Sequence, residues 1–168
     1  MPFHEIPIND ICKYKDPFSL FSEGALTVVE SNGQVDPMTI GWGALGTLWS
    51  KRICTVYIHA TRYSKVLFDQ ADRFAVAFLK PEYRDRLDYC GNVSLRDEDK
   101  VAKSGLTLIH DCGTPFFEEC ELVILCKKVG QSDFDTDRIT LPQIASWYRK
   151  EGPHTIYQGE IVKVLVSD

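Results

Sequence analysis

The chain has 168 residues, of which 44% are hydrophobic and 26% charged, and its net charge is −5. A chain of this length can bury a real core, so one domain is expected over 1–168. The acidic balance argues against the basic face that nucleic-acid or anionic-membrane binding needs. No run reaches the roughly 18 apolar residues of a membrane-spanning helix, and the first residues lack a signal peptide's basic-then-apolar order. A cytoplasmic protein is expected.

The cysteines, Cys12, Cys54, Cys90, Cys112, Cys120 and Cys126, form no C-x-x-C pair, so free thiols in a reducing compartment are expected. His110 and Cys112 are neighbours, but no second ligand pair accompanies them, and no metal site is expected.

Along the chain, Ala25–Glu30 is β-rich and runs into Ser31-Asn32-Gly33, a turn signal. Met38–Trp42 begins a second strand. Ile53–His59 is nearly all β-branched, aromatic or Cys, which predicts a buried strand. Tyr63–Ala71 reads as a short helix with Thr61 or Ser64 as its cap, and Phe74–Leu79 as another buried strand. Pro81–Tyr89 has helical character and stops at Gly91. Arg96–Ser104 reads as a helix with Asp97, Glu98 and Asp99 in its first turn, Lys103 in its last and Gly105 as its stop. Leu106–His110, Glu121–Val129 and Tyr157–Val166 complete the strands, and Leu141–Arg149 is the last helix. His154 and Tyr157 are read as a loop at the entry to the last strand, either a plain surface loop or, in an obligate dimer, one able to cover the partner's ligand.

Roughly seven strands with scattered short helices do not alternate as βαβ units, so a mostly antiparallel barrel or sandwich is predicted. Neither G-x-G-x-x-G nor G-x-x-x-x-G-K-[ST] is present, so a nucleotide-like ligand would have to be held by barrel loops.

Residues 37–63 carry the strongest functional signal. The small-residue run Thr39, Gly41, Trp42, Gly43, Ala44, Gly46, Thr47 would let a ligand approach the backbone closely. The following strand ends on Thr61, Arg62, Tyr63 and Ser64, which offer one fixed positive charge and several hydroxyls. An Arg guanidinium can take two phosphate oxygens at once. The pair of features suits a flat, polar-edged ligand with an anionic tail, as a flavin nucleotide has. Backbone groups of Trp42, Gly43 and Ala44 and of Leu48, Trp49 and Ser50 are the candidate ring contacts, although Trp42 and Trp49 could equally be core aromatics. A third cluster holds Cys90, Gly91, Ser94, Asp99 and Lys100. Lys100 would bring charge to the ring's N1–O2 edge or to the phosphate, or else be an ordinary lysine on a capped surface helix, whereas Cys90 reads as structural.

Pro37-Met38-Thr39, Trp42-Gly43, Gly46 and Trp49, then Thr61-Arg62-Tyr63, then Cys90-Gly91, Ser94, Arg96-Asp97 and Asp99-Lys100, and finally Tyr157 with Gly159-Glu160-Ile161, resemble the flavin reductase-like, FMN-binding split-barrel family. The resemblance runs from about Pro17 to the C-terminus in the same order and spacing. It implies a mainly β fold: an antiparallel, Greek-key-like split β-barrel with short peripheral helices, forming a homodimer with FMN near the subunit interface. It implies an oxidoreductase of the flavin reductase type, with NADH or NADPH as possible electron donor. An FMN-binding electron carrier without nicotinamide activity, or a non-flavin binding barrel, remains open. Hydride transfer to a flavin needs no side-chain acid or base, so no catalytic residue is named. Two positions depart from the family's pattern. Leu95 stands where Gly is frequent. Arg52 stands where Pro is frequent and is expected to bring a charge to the loop facing the ring.

Overall fold

The computed structural model describes residues 3–168; Met1 and Pro2, within the expected domain span, lie outside the described residues. Ten strands form: β1 (Phe3–Ile6), β2 (Ala25–Ser31), β3 (Gln34–Ile40), β4 (Gly43–Leu48), β5 (Lys51–His59), β6 (Arg73–Leu79), β7 (Leu108–Asp111), β8 (Thr114–Phe117), β9 (Cys120–Asp133) and β10 (His154–Ser167). Six short helices decorate them: α1 (Ile11–Tyr14), α2 (Pro17–Ser22), α3 (Ser64–Gln70), α4 (Asp85–Asn92), α5 (Lys100–Ser104) and α6 (Pro142–Glu151). None is long and apolar enough to cross a membrane.

One antiparallel sheet runs β3-β2-β6-β9-β10-β5-β4, with β1 added to β10, and β7 pairs with β8 as a separate hairpin. Alternate residues explain its shape. Phe74, Val76 and Phe78 of β6 join the main core, while Ala75, Ala77 and Leu79 join a second one. The main core also takes Met38 and Ile40 from one end of the strand order and Cys54, Val56 and Ile58 from near the other. Both ends of the sheet therefore close around one interior, which makes it a barrel. The outer face of β2, β6 and β9 is covered by Leu87 and Cys90 of α4 and by Phe116 and Phe117 of β8. Strands buried on both faces read as unbroken apolar runs, as Phe74–Leu79 does. The mainly β, antiparallel barrel with short helices agrees with the sequence reading.

Three hairpins turn on two residues with positive φ: Asn32-Gly33, Trp49-Ser50 and Cys112-Gly113. This is the turn geometry whose twist matches paired strands. Only the first had a legible turn signal; Trp49 (φ +51°) and Ser50 (φ +58°) adopt it without a glycine.

Several boundaries differ from the sequence reading. Gly43–Leu48 is a strand, not a loop, and Cys120–Asp133 extends past the predicted strand at both ends. His154 and Tyr157 lie within β10, not in a loop: Tyr157 is fully buried and its hydroxyl donates to Asp69 at 2.6 Å. The helix predicted over Arg96–Ser104 contracts to Lys100–Ser104, because the Asp99 side chain caps it by accepting from Ala102 N–H at 3.1 Å. Asp97 and Glu98 therefore precede the helix, and Gly105 (φ +72°) ends it. The helix predicted over Pro81–Tyr89 divides into a 3-10 turn at Pro81–Tyr83 and α4, which carries Gly91 in its last turn. A Cβ on Gly91 would lie 3.2 Å from that of Thr39, so the glycine admits close packing of α4 on β3. Neither predicted cap serves α3: the Thr61 hydroxyl bonds His59 and the Ser64 hydroxyl bonds Asp36.

Candidate functional site

Two adjoining clefts share Met38, Thr61 and Arg62. The larger, of about 390 Å³, runs between β3, β5 and α6 and is walled by Thr39, Trp42, Tyr57, His59, Trp147 and His154. The smaller, of about 180 Å³, lies under the start of α3 and includes Tyr63, Ser64, Ser94, Arg96, Lys100 and Asp36.

Arg62 sits where β5 leaves the barrel. Its backbone N–H bonds the His59 carbonyl at 3.0 Å, and Nη1 donates to the Gly91 carbonyl at 2.8 Å. Arg62 makes no ion pair among the described residues, so most of its guanidinium donors are free. Arg96 lies over the Tyr63 ring at 4.9 Å and brings a second cation to the smaller cleft. The floor there is a buried pair, with Lys100 Nζ 2.7 Å from Asp36 and the Ser64 hydroxyl donating to the other Asp36 oxygen at 2.5 Å.

The candidate residues divide clearly. Thr39, Trp42, Thr61 and Arg62 line the larger cleft; Thr61, Arg62, Tyr63, Ser64, Ser94 and Lys100 line the smaller. The Thr39 hydroxyl is committed to the Leu87 carbonyl at 2.6 Å, and Gly91 takes part through its carbonyl. Gly43 and Ala44 line neither cleft: they pair with Val56 and Thr55, and a Cβ on Gly43 would lie 2.3 Å from the Phe21 ring. Leu48, Trp49 and Ser50 stand at the far end of β4, about 17 Å along the strand from its cleft end. Trp49 is 63% exposed and reaches over Gly130 of β9. Cys90 belongs to the second core, and burial pushes its thiol up to about 11. Arg52 faces no ring site in its own chain; its Nε donates to Asn9 Oδ1 at 3.0 Å.

Tyr57, His59, Trp147, Glu151, Asp36 and Arg96 line the clefts without having been singled out as site residues. For Trp147 and Glu151 the only signal was their i,i+4 spacing on one helix face, and spacing does not say what that face meets. His59 and His154 are directly opposite across β5 and β10, with ring centroids 4.9 Å apart. Trp42 and Trp147 flank His154 at 5.0 and 6.0 Å. The Thr61 N–H donates to His59 Nδ1 at 3.3 Å, which places the neutral ring's proton on Nε2. That Nε2, and Nδ1 of His154, are buried without partners among the described residues.

Burial first, and then the adjacent His59, lower His154 from its ordinary 6.5 to about 4. His154 is therefore held neutral at pH 7. An unfolded chain charges this ring near 6.5 and the folded chain only near 4. The stability it contributes is thus complete above the first value and lost as the pH falls to the second, about 3 kcal/mol in all. His154→Phe should flatten the stability profile across that window in urea melts; unchanged steepness would refute the assignment.

The two clefts thus meet at Arg62 where β5 leaves the barrel, with Arg96 as a second cation in the smaller one. Residues 24–168 match the family model described as Flavin reductase like domain, and the chain belongs to that family. No protein with a curated description matches the sequence. Among solved structures, an FMN-binding domain of a flavin reductase-like enzyme from Shewanella baltica has 15% identity and a TM-score of 0.71, covering 98% of this chain and 77% of that one. A flavoredoxin from Methanosarcina acetivorans has 21% identity and a TM-score of 0.68, covering 98% and 76%. An NADH:FAD oxidoreductase from Streptomyces globisporus has 14% identity and a TM-score of 0.64, covering 86% and 80%.

Proposed function

We propose that the chain binds FMN, with the phosphate in the smaller cleft and the ring in the larger, and acts as an NADH- or NADPH-dependent flavin oxidoreductase. The observation that carries this reading is Arg62, an unpaired guanidinium at the junction of the two clefts. The residues present fit the group. Arg62 and Arg96 supply charge for a phosphate, and Tyr63, Ser64 and Ser94 surround it with polar atoms. His59 and His154 set two adjacent aromatic rings in the wall of the larger cleft. Bound FMN would supply the ring that takes up and passes on reducing equivalents. The chain's own residues bind and orient it: Met38 and Trp42 offer apolar surface to the ring, and Trp147 of α6 shields the cleft from water.

The proposal extends to a homodimer with FMN near the subunit interface, as the resemblance implies. In support, β4 is an open edge of the sheet and carries the exposed Trp42 and Trp49 at its two ends. Pairing of two copies along this edge would bring the 48–50 turn to a partner's cleft. A cytoplasmic setting remains part of the proposal.

A second reading, an FMN-binding electron carrier, is favoured by the position of Trp147 and His154, which narrow the approach for a stacked nicotinamide. Anaerobic mixing of the FMN-loaded protein with NADH and with NADPH separates the two. Loss of the flavin's visible absorption within seconds is expected for the oxidoreductase. Persistent colour with both donors would select the carrier, and a protein that takes up no FMN at micromolar concentration would remove both readings.

A further inference from the structure

The smaller cleft contains a feature at odds with binding an anion. Asp36, 1% exposed, lies in its floor beneath Arg62 and Arg96. A bare carboxylate there would repel a phosphate, because Asp36 is shut off from the water that would otherwise screen its charge. Lys100 is as deeply buried, and its Nζ lies 2.7 Å from Asp36 Oδ1. Ser64, the first residue of α3, donates to Oδ2. Burying an ion pair rarely gains stability over a well-packed apolar pair, so stability alone does not account for placing one under an anion site.

The pair joins β3, the start of α3 and α5 at one point. Asp36 fixes Ser64, two residues after Arg62, and so holds the Thr61–Ser64 turn in place. The lysine has no freedom to serve as a phosphate ligand, since its side chain is 2% exposed and directed at Asp36.

We propose that Lys100 is a positioning residue that cancels the charge of Asp36, so that a phosphate in the smaller cleft meets the positive field of Arg62 and Arg96 alone. The proposal rests on the reading of this cleft as the FMN phosphate site. Asp36 supplies the anchor for the turn, and Lys100 makes that anchor electrically neutral.

The test compares affinities for FMN and riboflavin, which share the ring and differ in the phosphate. Lys100→Met leaves Asp36 uncompensated and should lower the FMN-to-riboflavin preference about tenfold or more. Asp36→Asn leaves the lysine's charge free to act on the phosphate and should raise the preference. The double variant D36N/K100M removes both charges and should return it close to that of the unmodified protein, with riboflavin affinity unchanged. If Lys100→Met fails to fold, the order of Asp36→Asn above the double variant still decides. Equal losses for FMN and riboflavin in every folded variant would mean a purely structural role and overturn the proposal. Failure of the unmodified protein to prefer FMN over riboflavin would instead overturn the phosphate site itself.

Discussion

Arg62→Ala is expected to weaken FMN binding by about 10- to 100-fold while changing riboflavin affinity by no more than about twofold. A hydrogen bond to a charged group is worth roughly 1.5–3 kcal/mol, and this guanidinium has no carboxylate competing for it among the described residues. Among the described residues, only its bond to the Gly91 carbonyl is spent. Arg62→Lys should recover part of the loss, since an ammonium keeps the charge but cannot make the forked pair of bonds. Quenching of flavin fluorescence on titration measures each of these affinities. Equal FMN affinity in the Arg62→Ala variant would remove the phosphate from this cleft.

Phe74→Ala is expected to cost about 3–5 kcal/mol of stability, read by urea unfolding. The ring is 1% exposed and lies 5.2 Å from Phe68, whose ring lies 4.9 Å from Tyr157. The Tyr157 hydroxyl in turn donates to Asp69 in the last turn of α3. Phe74 also fills the space left by Gly159: a Cβ there would come within 2.6 Å of its Cζ and of the Cys126 Cβ. The site is crowded on every side, so little collapse can offset the cavity. Phe74 borders neither cleft, and the folded fraction should bind FMN as before. A loss below about 1 kcal/mol would mean that this part of the barrel is loosely packed.

The strands were legible because their signal is local. Ile53–His59 and Phe74–Leu79 are β-branched, aromatic and unbroken, and burial on two faces demands that composition. β4 escaped notice because an edge strand of Gly, Ala, Leu and a single Thr has little β signal of its own. Its pairing with β5 defines it. The hairpin between them hid for the same reason, since Trp49-Ser50 lacks the glycine or asparagine that marks such turns. The phosphate half of the candidate site was legible as Thr61 to Ser64, a polar cluster following directly on an apolar strand. The ring half was legible only in part: the stretch after Thr39 reaches the cleft as far as Trp42, and then the strand carries Gly43 and Ala44 away.

The partners that complete each half could not be read in advance. Asp36 and Lys100 are 64 residues apart in the chain, and their charges look like ordinary surface charges until folding buries them together. His59 and His154 become neighbours through the register of β5 against β10. By itself, the sequence determined most of the buried strands, that they suit an antiparallel barrel or sandwich and not βαβ units, and where a fixed positive charge follows a buried strand. These follow from composition and spacing along a few consecutive residues. Tertiary structure alone decided which titratable groups are buried against one another and which aromatics wall the cleft. Charge pairing and burial depend on what lies across space, and chain order does not encode that in any local pattern.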